Sequence, residues 1–205
     1  MKYRDSGMPE VKMWETFFDP LKVLEKMEIN ASVNSYLDIG CGYGTFLFPA
    51  SDLVKNAIGF DIDKNMIDHC KNIQIKLNIK NIELILGDIS SENKVHPLAQ
   101  FNNTIDYVSL FNILHCEEPV NLLEVARNLL NDEGKICVIH WQYKETPRGP
   151  AMEIRPRPEQ IIEWAKIAKL NFTSIIDLPP YHYGLIFMKK EANIVKLGII
   201  SETYV

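Results

Sequence analysis

The residues best suited to chemistry stand at the ends of short apolar runs. Tyr36-Leu37-Asp38-Ile39-Gly40-Cys41-Gly42-Tyr43-Gly44 places three glycines at alternate positions, with an acid two residues before the first. Glycine lets the main chain turn tightly and approach a ligand with no Cβ in the way. The spacing is GxGxG; the GxGxxG of dinucleotide-binding loops would need a glycine where Thr45 stands. A carboxylate at Asp38 would repel a pyrophosphate and would suit a ligand ammonium group.

Two more acids follow at similar places. Gly59-Phe60-Asp61-Ile62-Asp63 puts Asp61 at the end of the next apolar run, at an offset from Gly40 where an acid can accept hydrogen bonds from ribose hydroxyls. Asp63 reads equally as the N-cap of a following helix. Gly87-Asp88-Ile89 ends a third run; Asp88 could accept from an exocyclic amino group or simply form a turn. Farther on, Phe111-Asn112-Ile113-Leu114-His115 and His140-Trp141-Gln142-Tyr143 close two further runs. His115 and His140 are candidates for orienting or deprotonating a substrate, with packing as the alternative for each.

These positions need a scaffold, and the periodicity supplies one. Strands are expected over 35–39, 57–60, 82–86, 105–110, 135–141, 172–177 and 185–189. Between them, helical patterns cover 45–54 and 64–77, a helix opens at Pro119, and another opens at Pro158. Met66, Ile67, Cys70, Ile73 and Leu77 form one apolar stripe, and Leu122, Leu123, Ala126, Leu129 and Leu130 another. Asn131-Asp132-Glu133-Gly134 reads as a turn. Near the N-terminus, Trp14, Phe17, Phe18, Leu21 and Leu24 share a helical face that Asp19-Pro20 should divide, with Asp19 as cap. Strands alternating with crossover helices imply a mostly parallel sheet with helices on both faces. The loop 178–184 is too short for a parallel crossover, so the last strand should run antiparallel. Ligands in such sheets bind beyond the carboxyl ends of the strands, where the motifs lie.

Composition narrows the rest. The chain has 205 residues, 46% hydrophobic and 24% charged, which excludes a largely disordered or collagen-like protein. No apolar run reaches the length of a membrane span, and Met1 to Pro9 lacks the apolar centre of a signal peptide, so a cytoplasmic protein with no membrane partner is expected. A net charge of −5 makes a dedicated nucleic-acid binder an unfavoured reading. Cys41, Cys70, Cys116 and Cys137 form no CxxC pair, which points to reduced, buried thiols and to no metal site.

Taken together, the motifs Asp38-x-Gly40-x-Gly42-x-Gly44, Gly59-Phe60-Asp61, Gly87-Asp88 and Ile105-Asp106-Tyr107-Val108 resemble those of the class I S-adenosylmethionine-dependent methyltransferases. Leu129-Leu130-Asn131-Asp132-Glu133-Gly134-Lys135 is similar to that family's turn before the fifth strand, with one of its two glycines present. The resemblance covers roughly residues 30–190. It implies a Rossmann-like seven-stranded sheet and S-adenosyl-L-methionine as cofactor. By position it implies Gly40, Gly42 and Gly44 against the methionine part, Asp38 near the amino end, and Asp61 on the ribose. Asp88 and the Ile89 backbone would meet the adenine, and Phe111 and Asn112 would lie beside the methyl group. The expected division is a helical cover over 1–30, the methyltransferase domain over 31–190 and an extension over 191–205.

The acceptor is less legible. Methylases of base or glutamine amino groups often carry Asn/Asp-Pro-Pro-Tyr after the fourth strand. Phe111-Asn112-Ile113-Leu114-His115 stands there instead, and looks like the stretch found in small-molecule methyltransferases. Asp177-Leu178-Pro179-Pro180-Tyr181 carries an inserted leucine and follows the sixth strand, so it is not that motif. The segment 144–158 holds four prolines and three arginines, a lid over an anionic acceptor or a solvated linker. Arg148, Arg155, Tyr181 and His182 are the candidates for acceptor contacts. The tail with Val195, Leu197, Ile199 and Ile200 could add a strand, cover an edge or join two chains as a homodimer. A small-molecule methyltransferase is the expected activity. A non-catalytic S-adenosylmethionine-binding protein, an RNA or protein methyltransferase and a nicotinamide oxidoreductase are the rivals.

Overall fold

The computed structural model describes residues 13, 15–17, 19–89 and 97–189. Trp14, Phe18, the segment Met1 to Pro9 and the tail beyond 190 lie outside the described residues. Seven strands form one sheet: β1 (Ser35–Ile39), β2 (Asn56–Asp61), β3 (Ile82–Leu86), β4 (Ile105–Phe111), β5 (Leu130–Trp141), β6 (Asn171–Leu178) and β7 (His182–Met188). Their order is β3-β2-β1-β4-β5-β7-β6. All neighbours run parallel until β7, which is antiparallel to both β5 and β6. The expected antiparallel last strand is therefore present, and only residues 179–181 join it to β6.

The helices start where the sequence offers caps. α1 (Pro20–Lys26) is capped by the Asp19 carboxylate, which accepts the Lys22 N–H, with Pro20 in the first turn. α2 (Leu47–Ser51) is shorter than the expected 45–54. α3 (Lys64–Leu77) is capped by Asp63, so that acid has its structural role, and ends at Asn78 in the left-handed region. α4 (Pro119–Leu129) and α5 (Pro158–Ile167) both open on proline.

Strand alternation divides the core into two layers. Leu37 and Ile39 face the layer built from Leu122, Leu123 and Ala126 of α4 with Ile161 and Ala165 of α5. Tyr36 faces the other layer, with Leu24 and Met27 of α1, Leu47 of α2, and Ile67 and Cys70 of α3. Each large apolar side chain fully withdrawn in this way stabilises the fold by roughly 1.5–3 kcal/mol.

Three expectations need correction. Leu21 is 58% exposed, because α1 turns Val23, Leu24 and Met27 inward instead. Leu77 of α3 is also exposed, lying in the last turn of the helix. The turn at 131–134 sits inside β5 as a register shift opposite Ile105 and Tyr107, where Asn131 accepts the Glu133 N–H. A Cβ on Gly134 would come within 3.0 Å of the Ile105 carbonyl oxygen, so the close approach of β4 and β5 requires glycine there.

Candidate functional site at the carboxyl strand ends

β1 lies between β2 and β4, so its carboxyl end emerges at the centre of the sheet rim. The chain then folds into a loop with Gly40, Gly42 and Gly44 at φ of 77, 52 and 80°. This is the left-handed region, where a side chain is strained. Space forbids one as well at Gly44, where a Cβ would lie 2.4 Å from the Phe48 ring. The Gly40 and Cys41 N–H groups both donate to the Phe60 carbonyl. The Asp61 carboxylate then accepts the N–H of Gly42 and that of Asp63, each at 2.8 Å. Asp61 thus holds the glycine loop as well as ending β2. Burial raises its pKa, while the backbone hydrogen bonds from Asp63 and Gly42 oppose the shift.

Asp38 is 2% exposed. Register pairs it with Ser109 of β4, whose hydroxyl donates to Asp38 Oδ1 at 2.6 Å and lies 2.8 Å from the Tyr36 hydroxyl. Burial pushes the Asp38 carboxyl up to about 7, although the Ser109 hydrogen bond pulls the other way and Asp61 adds repulsion. Sequence reasoning missed Ser109. Its signal was a lone hydroxyl inside the apolar run Tyr107-Val108-Ser109-Leu110-Phe111.

One residue beyond β4, Asn112 takes a φ of 58°. Its main-chain N–H continues the ladder to the Ile139 carbonyl at 2.7 Å. Both polar atoms of its side chain are buried, with no hydrogen-bond partner among the described residues. A buried amide without partners costs about 1–3 kcal/mol, so this amide has the chemistry of a group awaiting a polar ligand. Next to it Ile113 lies over Gly40, and Phe111 packs edge-on against Phe46 at 4.7 Å. Asp88 and Ile89 are half-buried just past β3, where the Gly87 N–H donates to the Asp61 carbonyl. The sheet therefore brings Asp38, Asp61, Asp88, Asn112 and the glycines to one rim. The buried Asp38, the glycine cradle and the rim acid Asp61 have the chemistry to receive the ammonium group, the amino-acid backbone and the ribose of an amino-acid nucleoside.

The acceptor candidates divide into two groups. Arg148 and Tyr181 line one pocket. His115, half-buried, sets its Nδ1 3.3 Å from His140 Nε2. His140 itself is fully buried, and its Nδ1 has no partner among the described residues. Burial holds His115 down to about 4 and His140 well below the ordinary range, so both are neutral near pH 7. Three expectations of direct acceptor contact conflict with this packing. His140 is withdrawn from solvent and its Nε2 meets His115. His182 is 1% exposed and its ring packs tilted against Trp141 at 4.2 Å. Arg155 is buried too, and its guanidinium donates to the carbonyls of Gln142, Lys144, Arg148 and Pro150 and to the Thr146 hydroxyl. That side chain organises the 144–155 loop from within and has no donor left for an anion.

Residues 30–178 match the family model described as a methyltransferase domain. The chain belongs to this methyltransferase-domain family. Among curated relatives, it is 29% identical over 140 residues to the ribosomal RNA small subunit methyltransferase A of Wigglesworthia glossinidia brevipalpis, covering 65% of this chain and 49% of that protein. It is 25% identical over 148 residues to the aklanonic acid methyltransferase DauC of Streptomyces sp. (strain C5), covering 66% of this chain and 65% of that one. The chain thus spans about half to two thirds of the length of these relatives. Among solved structures, a SAM-dependent methyltransferase from Aquifex aeolicus superposes with a TM-score of 0.77 at 22% identity, covering 93% of this chain and 100% of that chain. That likeness is one of fold. The methyltransferase-domain match spans every strand from β1 to β6 and therefore the whole rim described above. No helix among the described residues is long and apolar enough to cross a membrane, and no group of three or more metal-ligating side chains occurs among them.

Proposed function

We propose that this methyltransferase-domain protein transfers the methyl group of S-adenosyl-L-methionine to a small-molecule acceptor in the cytoplasm, with residues 31–190 as the working domain. The observation that carries the reading is the buried, unpartnered Asn112 amide, one residue past β4 and beside the glycine loop. S-adenosylmethionine supplies an electrophilic methyl group whose sulfur departs as a neutral thioether, so no acid is needed for departure. The chain's task is alignment and exclusion of water.

In this reading Asp38 receives the ammonium end, and Gly40, Gly42 and Gly44 admit the methionine backbone. Asp61 takes the ribose hydroxyls with the oxygen lone pairs that Gly42 and Asp63 leave free. Asp88 and Ile89 meet the adenine, while Phe111 and Asn112 flank the methyl group. An acceptor O–H or N–H that must lose its proton gives it to His115, whose ring His140 holds in place.

An RNA acceptor has one supporting observation, the likeness to a ribosomal RNA methyltransferase. A basic stripe through Arg148, Arg155 and Arg157 would have strengthened it. Arg155 is spent inside its loop, and Arg157 stacks 3.7 Å over Tyr143, which favours the small molecule.

Calorimetric titration tests the reading, with S-adenosylmethionine, S-adenosylhomocysteine and NAD as ligands of the wild type and of Asn112→Gly. Glycine keeps the positive φ and removes only the amide. Both sulfur ligands should bind, about tenfold more weakly to the variant. Absence of binding by either overturns the reading, and binding of NAD alone would revive the oxidoreductase.

A further inference from the structure

The pocket that Arg148 and Tyr181 line opens beside the cofactor rim. It encloses 570 Å3 and is lined by Thr16, Phe17, Pro147, Arg148, Pro180 and Tyr181, among others. That volume lies within the range of small-ligand pockets. Its walls are flat and stiff. Phe17 stands edge-on to Trp141 at 5.3 Å and to Tyr181 at 6.2 Å, and Trp141 stacks with Tyr181 at 6.3 Å. Pro147 and Pro180 add rings that cannot rotate away.

Four hydrogen bonds brace these walls. The Gln142 N–H donates to the Tyr181 carbonyl at 2.7 Å, and Lys144 Nζ donates to the Pro180 carbonyl at 3.1 Å. Thr146 Oγ1 donates to the Arg148 carbonyl, which also receives Arg155 Nη2. The main chain of Arg148 is therefore pinned. Its guanidinium makes no ion pair among the described residues. An exposed guanidinium at the rim of an aromatic wall suits a carboxylate, because its fork matches the two oxygens. The wall also backs onto the catalytic rim, since Tyr43, set between Gly42 and Gly44, packs against Phe17 and Trp141.

We infer that this cavity is the acceptor site and that the acceptor is a planar aromatic acid, its ring against the wall that Phe17 and Tyr181 form together and its carboxylate on Arg148. The acceptor part of the inference rests on the methyl-transfer reading above; the pocket chemistry stands separately. Neither Arg155 nor His182, both buried, takes part in contact.

The test is calorimetric titration of the full chain with 3-hydroxy-2-naphthoate and with neutral 2-naphthol, in the presence of S-adenosylhomocysteine. It compares wild type with Arg148→Gln and Tyr181→Ala. The naphthoate should bind wild type, lose about tenfold in affinity in Arg148→Gln, and lose a similar factor in Tyr181→Ala. Naphthol should bind more weakly and ignore Arg148→Gln. Equal naphthoate affinity in wild type and Arg148→Gln overturns the carboxylate assignment, and no naphthoate binding overturns the pocket. Binding of a single-stranded oligonucleotide that Arg148→Gln abolishes, without naphthoate binding, overturns it in favour of nucleic acid. A silent S-adenosylhomocysteine titration with intact naphthoate binding would remove the methyl-transfer reading and leave the aromatic-acid site standing.

Discussion

Asp61 Oδ2 accepts the Gly42 N–H at 2.8 Å, so the acid at the end of β2 holds the glycine loop that follows β1. The same carboxylate takes the Asp63 N–H through Oδ1, which couples the loop to the start of α3. Binding and architecture therefore share one side chain, and two substitutions separate them. Asp61→Ala strands two main-chain donors and should cost about 2–4 kcal/mol in urea unfolding, with loss of S-adenosylhomocysteine binding. Asp61→Asn keeps one acceptor oxygen and sheds the buried charge whose pKa burial raises. Its NH2 group faces one of the two main-chain donors, so it should unfold between Asp61→Ala and wild type at pH 8 and bind the nucleoside clearly less well. Wild-type affinity in Asp61→Asn would remove Asp61 from the ribose contact.

Asp38 predicts a pH dependence with a definite sign. Its carboxyl has an ordinary value of 3.8 and sits at about 7 in the folded chain, chiefly through burial. The folded state then holds a proton that the unfolded state has released. Its contribution to stability is complete below about pH 4 and is lost as pH rises to about 7, up to about 4 kcal/mol. Asp38→Asn should consequently raise the melting temperature of the ligand-free protein at pH 8 and leave it unchanged near pH 4. A ligand ammonium beside Asp38 favours the ionised form. Binding of S-adenosylhomocysteine at pH 6.5 should release a proton, visible as a binding heat that changes with buffer ionisation enthalpy. No buffer dependence would separate the ligand from Asp38.

Arg155 carries the next expectation. Its bonds to the carbonyls of Gln142, Lys144, Arg148 and Pro150 and to the Thr146 hydroxyl hold the 144–155 loop, whose regular structure is one 3-10 turn at Met152–Ile154. Arg155→Lys offers three donors from a point in place of a planar fork, and so leaves several carbonyls unpaired. A loss of about 2–4 kcal/mol is expected, together with faster proteolysis confined to 144–155. An unaltered digestion pattern would mean that the prolines alone hold the loop.

The fold was legible because its signals are local and repeated. Asp63 and Pro119 mark helix starts, the apolar runs mark strands, and the short β6–β7 connection dictates an antiparallel pair. The glycine loop and its three acids were legible for the same reason, each standing at the end of an apolar run. The division among the acceptor candidates was not. Arg148 and Arg155 look alike in the sequence, and only the fold of the loop decides that one points outward and the other inward. His140 and His182 likewise differ from His115 by burial, which depends on how β7 slots between β5 and β6. Phe17 reaches the Arg148 pocket by packing on Trp141, a contact between distant parts of the chain that no periodicity encodes.

The His115–His140 pair makes the last prediction. The two ring nitrogens lie 3.3 Å apart, and with both rings neutral a single proton lies between them. Burial depresses His115 to about 4, so its base form is already complete at pH 6. A folded value below the ordinary 6.5 means that the stability contribution is present above pH 6.5 and is lost as pH falls through about 4. If His115 takes the acceptor proton, the acidic limb of kcat/KM falls near pH 4, and the rate is flat from pH 6 to 8 with respect to this group. His115→Asn should lower kcat about 100-fold while leaving S-adenosylhomocysteine affinity intact. His140→Phe removes the partner ring without touching the acceptor, so it should lower kcat less and shift the acidic limb. A full-rate His115→Asn enzyme would show that the acceptor attacks without losing a proton to this side chain, and an acidic limb at 6.5 would place the base elsewhere on the rim.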